Sequence, residues 1–110
     1  MLIDIRSGNS RLPRAHALGL ADRIRDAFAS IAHRIMRVLV RMGEAVRPGG
    51  VARDCIVEIH LPNGEVMFVQ ERQRKLGVLL RRVTERAWRT AAAALAGRKG
   101  PQVLARGSRT

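Results

Sequence analysis

The stretch CIVEIHLPNGEVMFV, residues 55–69, decides the fold of this chain. Before the central PNG, apolar and polar side chains alternate, which is typical of a strand that buries one face of a sheet. Asn63 and Gly64 both tolerate a positive φ, so the chain can reverse direction tightly at this point. We therefore predict a β-hairpin with strands at Cys55–Leu61 and Glu65–Glu71.

Two further strands and a helix are predicted on the N-terminal side of this hairpin. Residues 35–42, IMRVLVRM, alternate and have the β-branched content of a strand, whereas Pro48 and three glycines in residues 43–54 predict a flexible hairpin connection to the next strand. Residues 1–6 also alternate as a short strand. A helix that begins at Pro13 gathers its apolar residues on one side, from Ala17 to Ile31.

A second helix, from about Leu76 to about Ala96, is predicted after the hairpin by its apolar period. Residues 97–110 contain three glycines, a proline and several basic side chains, and they have little to bury, so we expect a flexible basic tail.

These elements give the order β-α-β-β-β-α and place the chain in the α+β class. Each helix has a single apolar face, so both helices can pack on one side of a four-stranded sheet as a two-layer sandwich. We predict one domain, residues 1–96, followed by the tail, residues 97–110.

The charge of the chain is large and unevenly distributed. Its formal net charge is +12, and residues 71–110 contain 11 basic and 2 acidic residues. Such an asymmetry favours nucleic acid as a partner, or less often an anionic membrane surface.

The last helix concentrates part of this charge on one side. Five of its residues fall within an arc of about 140°, opposite the apolar side: Arg81, Arg82, Glu85, Arg86 and Arg89. A charged helix face that is merely solvated usually mixes signs, whereas here only Glu85 opposes the arginines, and we expect it to pair with one of them. The face is predicted to bind a polyanion.

Other basic residues extend the predicted RNA-binding surface. They are Arg72, Arg74 and Lys75 before the last helix, Arg98 and Lys99 after it, and Arg23, Arg25 and Arg34 along or after the first helix. The chain has only three aromatic residues, none paired on adjacent strands, which favours a folded RNA backbone over stacked single-stranded bases. Trp88 lies at the margin of the apolar side, where we expect half-buried packing rather than base stacking.

No catalytic or metal-binding constellation is recognisable, so we expect neither an enzyme nor a cofactor, a metal or a small-molecule substrate. The three histidines lie on different predicted elements, and the single cysteine, Cys55, is expected to be buried rather than reactive. Charged residues interrupt the N-terminal apolar residues, and no apolar run could span a bilayer. We expect a cytoplasmic monomer that does not bind membranes.

The quoted residues resemble a known family. IDIRSGN before a helix, the strand IMRVLVRM, the hairpin CIVEIHLPNGEVMFV and the closing basic helix are similar to the ribosome hibernation-promoting factors and ribosome-associated inhibitors. The resemblance covers residues 1–96 and is closest to the short, single-domain members. At the start of the last helix the chain departs from the family, because Lys75 and Arg81 stand where many members have acidic residues.

The resemblance implies the same β-α-β-β-β-α fold and a function in translational regulation under stress. It implies binding near the decoding region of the small ribosomal subunit, where basic residues of both helices contact ribosomal RNA and the protein inhibits or protects idle ribosomes. The family pattern carries over most directly to ERAWR, hence to Arg86 and Arg89. The family's C-terminal dimerisation domain is not among the 110 residues, so we expect no pairing of ribosomes through it. A regulatory module that binds an acidic protein or another structured RNA through the same face is the alternative.

Overall fold

Alternating apolar residues form the strands, and apolar residues at a helical period form the helices, in the predicted order. The computed structural model describes residues 1–8, 12–97 and 103–104. The elements in chain order are β1 (Leu2–Arg6), α1 (Arg14–Ala27), a short 3₁₀ helix (Ala32–Arg34), β2 (Arg37–Arg47), β3 (Gly50–His60), β4 (Val66–Gln73), α2 (Leu76–Leu95) and β5 (Val103–Leu104). The fold is the predicted α+β arrangement, with a fifth strand of two residues added at one edge.

The sheet has the strand order β1-β2-β3-β4-β5, in which β1 is parallel to β2 and the other neighbours are antiparallel. The predicted hairpin between β3 and β4 is confirmed, with His60 opposite Val66. In its turn, Gly64 has φ +94°. The Glu65 backbone N–H donates to the Asn63 side-chain oxygen at 2.9 Å, which holds the reversal in place.

Residues 43–47 belong to β2 and residues 50–54 to β3, so the predicted hairpin between these strands is confirmed, but the prediction of a flexible connection over residues 43–54 was wrong. The strands β2 and β3 continue until Arg47 lies opposite Gly50, and only two residues link them. Gly49 has φ +91°, a conformation that suits glycine and allows the short reversal. Within the extended ribbon, the Arg53 guanidinium lies 3.7 Å from the Glu44 carboxylate across the strands.

Both helices pack on one face of the sheet, and the core lies between the two layers. One continuous cluster contains Leu20, Ile24 and Phe28 from α1 or its end, Val38 and Val40 from β2, Val57 and Ile59 from β3, Met67 and Val69 from β4, and Leu79, Leu80, Val83, Ala87 and Ala91 from α2. Because side chains alternate along a strand, the residues between these point to the opposite face, which no helix of the described residues covers.

The helix α1 ends at Ala27, earlier than the apolar period predicted. Phe28 follows as its C-cap residue, and the chain then turns through the 3₁₀ helix into β2. None of the helices within the described residues has the length and apolar content needed to cross a membrane.

Candidate nucleic-acid interface

The helix α2 lies on the sheet by one side and exposes the other. Its buried residues include Leu79, Val83 and Ala87, which recur at a helical period. On the outer side, Arg81, Arg82 and Arg89 are exposed, and Glu85 lies among them. These three arginines are called the arginine face below.

No hydrogen bond or ion pair holds the arginine face within the described residues. Glu85 also lacks such a partner there, so the predicted pairing of Glu85 with a neighbouring arginine was wrong. The side chains are long and solvated, and an exposed ion pair on a helix stabilises it by only about 0.3–0.5 kcal/mol. The arginine face therefore keeps its donors available to a ligand.

Arg86 differs from these neighbours because it is bound to the sheet. Its guanidinium donates to the Glu71 carboxylate at 2.6 Å and to the Gln70 backbone carbonyl at 2.7 Å. Its side chain is 37% exposed and that of Glu71 is 13% exposed. A helical wheel places Arg86 beside the arginine face, because a wheel contains no information about the neighbouring strand. In the structure, Arg86 anchors α2 to β4.

The acidic residues of the sheet are paired. All five acidic residues on the described strands pair with arginines: Asp4 with Arg6 and Arg37, Glu44 with Arg53, Asp54 with Arg72, Glu58 with Arg41, and Glu71 with Arg86. The hydrogen bond and charge of Asp54 raise the pKa of the Arg72 guanidinium. Arg72, which the sequence analysis assigned to the RNA-binding surface, is thus engaged in the sheet.

The remaining predicted basic residues fall into three groups. Arg23, Arg74 and Lys75 are exposed and have no ion pair within the described residues. Arg25 pairs with Asp22 at 3.1 Å, and Arg34 donates to the Leu95 carbonyl at 3.2 Å. Arg98 and Lys99 lie outside the described residues, as does the predicted tail except for β5.

Arg34 thereby supports the end of α2. The last carbonyls of a helix have no partner inside the helix, and a basic side chain is a common substitute. A sequence separation of 61 residues hides this contact from any local pattern.

Two shallow depressions border the arginine face. One, of about 300 Å³, is lined by Arg81, Arg82, Glu85, Arg86, Arg89 and Glu71. The other, also of about 300 Å³, lies between the helices and is lined by Ala27, Thr84, Glu85, Trp88 and Arg89. Guanidinium groups around the first depression could donate to the oxygens of a phosphate.

A second basic region lies at the end of the β2–β3 ribbon, and it includes Arg47, which the sequence pattern did not predict. Arg47 and Arg74 line a depression of about 390 Å³ there, together with Ala52, Arg72 and Gln73. A flexible connection over residues 43–54 gives Arg47 no defined position, whereas the observed strand places it at the end of β2. The two-residue PG reversal between alternating arms was the signal that could have placed it.

The described residues contain no cluster of three or more His, Cys, Asp or Glu side chains placed to hold a metal ion. Cys55 is buried in the core, as predicted. Burial raises the pKa of the Cys55 thiol to about 12.

Comparison of the chain with known protein families and with curated proteins finds no match.

Proposed function

We propose that this protein binds structured RNA through the arginine face, and that its RNA is small-subunit ribosomal RNA near the decoding region. Bound there, it would inhibit or protect idle ribosomes. The observation that carries the proposal is the distribution of charge. Arg6, Arg37, Arg41, Arg53 and Arg72 of the sheet pair with acids, and Arg47 at the end of β2 stands apart from α2. By contrast, Arg81, Arg82 and Arg89 stand together on an outward helix face without a hydrogen bond or ion pair among the described residues.

The chemistry of guanidinium favours phosphate as the ligand of this face. Arginine presents a planar fork of N–H donors that matches two phosphate oxygens, and three such groups on one helix repel each other until an anion lies between them. A phosphate backbone presents anions at regular spacing and so satisfies several arginines at once.

The sheet itself is a poor platform for single-stranded bases. Its uncovered face carries Phe68 as the only aromatic residue among the described strands, surrounded by charged side chains such as Arg41 and Glu58. Proteins that stack unpaired bases on a sheet need several aromatic side chains there. The helix layer is therefore the side that we propose for RNA.

The resemblance to the ribosome hibernation factors directs the proposal from RNA in general to the small ribosomal subunit. The observed β-α-β-β-β-α fold is the one that the resemblance implies. We also propose that the protein is a cytoplasmic monomer and does not bind membranes. It would need no cofactor, metal or small-molecule substrate.

Cosedimentation with small ribosomal subunits across a salt series tests this function. The wild-type protein should pellet with subunits at low salt and be released as salt rises. The Arg82→Glu/Arg89→Glu variant should fail to pellet, and neither change removes a hydrogen bond or ion pair within the described residues. Arg86 is left unchanged because its loss would also weaken the fold.

Arg47→Glu is the matched control. Arg47 is exposed and without an ion pair in the described part of the chain, but it lies on the β2–β3 turn rather than on α2. This variant should pellet like the wild type. Pelleting of the Arg82→Glu/Arg89→Glu variant at wild-type levels would contradict the proposal. Competition by polyglutamate as strong as by ribosomal RNA would instead favour an acidic protein partner.

A further inference from the structure

We propose that the cleft between α1 and α2 receives one unpaired nucleobase of the bound RNA, which stacks on Trp88 while Arg89 binds an adjacent phosphate. This inference rests on the proposed RNA-binding function and adds to it a contact that is specific for unpaired bases. It also reverses the expectation that Trp88 has only a packing role.

The position of Trp88 is the first observation behind this inference. Its side chain is 38% exposed, although it is the largest apolar side chain in the protein. It follows Arg81 by seven residues and Glu85 by three, so the three side chains lie along one outward stripe of α2. An RNA backbone that lies on the arginine face passes directly beside the indole ring.

The cleft provides space next to this ring. Ala27 of α1 forms the opposite wall, and its small side chain leaves the depression open. A volume of about 300 Å³ is at the small end of the range of ligand sites, which suits a single base better than a larger molecule. The Thr84 hydroxyl donates to the Leu80 carbonyl at 2.7 Å, which fixes the floor of the cleft.

The polar groups of the cleft can bind the phosphate of a nucleotide and the edge of its base. The Arg89 guanidinium has no partner among the described residues and can donate to a phosphate. The Glu85 carboxylate, equally without a partner there, can accept from N–H groups on the base edge, of which guanine presents two adjacent to each other. An aromatic ring, a carboxylate and an arginine thus converge on one small cleft.

Intrinsic fluorescence tests this proposal directly, because the chain has one tryptophan and no tyrosine. The probes are two RNA hairpins with the same stem, one fully paired and one with a single bulged guanosine. The bulged RNA should quench Trp88 and bind more tightly than the paired RNA, since stacking of a base on an aromatic side chain strengthens binding on the order of tenfold.

Substitutions at Trp88 separate stacking from packing. Trp88→Leu keeps an apolar side chain against α1 but removes the ring, so it should lose the preference for the bulged RNA while still binding the paired one. Trp88→Phe should retain most of that preference. Binding by both variants is measured from the anisotropy of labelled RNA, and circular dichroism confirms that each is folded.

The possible outcomes distinguish this proposal from the function on which it rests. If both RNAs bind equally and without quenching, the base-binding cleft is overturned while the arginine face stands. If neither RNA binds, the proposed function fails as well. Quenching by free guanosine monophosphate at the concentrations effective for RNA would also overturn the proposal, because the cleft would then be a site for a free nucleotide.

Discussion

Arg86 and Arg89 lie three residues apart on α2 and have opposite roles. Arg86 donates to the Glu71 carboxylate and the Gln70 carbonyl of β4, whereas Arg89 makes no hydrogen bond or ion pair within the described residues. Both arginines fall on the polar side of the helical wheel, so the sequence pattern does not distinguish them. Only the neighbouring strand β4 determines that Arg86 is bound and Arg89 is not. Arg86 therefore stabilises the packing of α2 on the sheet, whereas Arg89 belongs to the exposed arginine face.

Arg86→Ala should destabilise the protein by about 1 kcal/mol, because it removes a half-exposed ion pair and leaves the Glu71 carboxylate without its partner. Arg89→Ala should leave the stability within about 0.5 kcal/mol of the wild type, as is usual for surface changes that break no contact. The free energies of unfolding from urea titrations measure both effects. Equal stability of the two variants would show that Arg86 does not anchor α2.

The single residue Cys55 should make the stability of the protein depend on pH. Burial raises the pKa of its thiol from 9.0 to about 12. The folded state thus keeps the proton more firmly than the unfolded state. The resulting stabilisation is complete below pH 9 and is lost as the pH rises towards 12.

Between pH 8 and pH 10, the wild-type protein should lose about 1.4 kcal/mol more stability than Cys55→Ala, in which no thiol titrates. Urea unfolding of both proteins at the two pH values provides the measurement. Other groups that titrate in this range affect both proteins alike, so the comparison isolates Cys55. An equal loss in the two proteins would indicate that the thiol is accessible in the folded state.

At the scale of the element, α2 begins without the features that usually stabilise a helix N-terminus. Its N-cap residue is Lys75, whose side chain makes no capping hydrogen bond, and the first turn contains no acidic residue. A positive charge at this end also opposes the helix dipole. The helix is instead stabilised by its buried face, which includes Leu79, Leu80 and Val83.

Lys75→Ser should raise the stability by about 1 kcal/mol, because Lys75 already has the extended backbone of an N-cap and a serine hydroxyl could accept from the exposed backbone N–H groups. Lys75→Ala is the matched control, since it removes the same charge without adding a cap. Thermal and urea unfolding of the two variants give the difference. If the serine variant were no more stable than the alanine variant, the cap would not form.

The elements differ in how far the sequence could predict them. The β3–β4 hairpin was predictable because Asn63-Gly64 and the alternation around it act locally. A hairpin between β2 and β3 was also predictable, but its two-residue turn and the full length of its strands were not, because Pro48, Gly49 and Gly50 are as common in loose loops as in tight reversals. The cross-strand pairing of Glu44 with Arg53, which stabilises the ribbon, joins residues whose proximity depends on that reversal.

At the scale of the molecule, the two layers differ in their electrostatics. In the sheet, acidic residues on the strands form ion pairs with arginines of neighbouring strands, and Glu71 pairs with Arg86 of α2. The arginine face lacks such compensation. The sequence predicted that the last helix would display arginine, because the helical period alone places those residues opposite the apolar side. It could not predict which arginines are engaged, since their partners lie on other elements.

This difference predicts how RNA binding depends on salt. Each phosphate contacted by an arginine releases condensed counterions, so that log K falls by nearly one unit per contact for each tenfold rise in salt. If Arg82 and Arg89 each contact a phosphate, the Arg82→Gln/Arg89→Gln variant should have a slope shallower by about two. The wild type and Arg47→Gln should share the steeper slope, because Arg47 lies on the β2–β3 turn.

Fluorescence anisotropy of a labelled small-subunit RNA fragment at several salt concentrations gives the slopes. A similar reduction in Arg47→Gln would mean that the charge of the whole molecule, rather than the arginine face, governs binding.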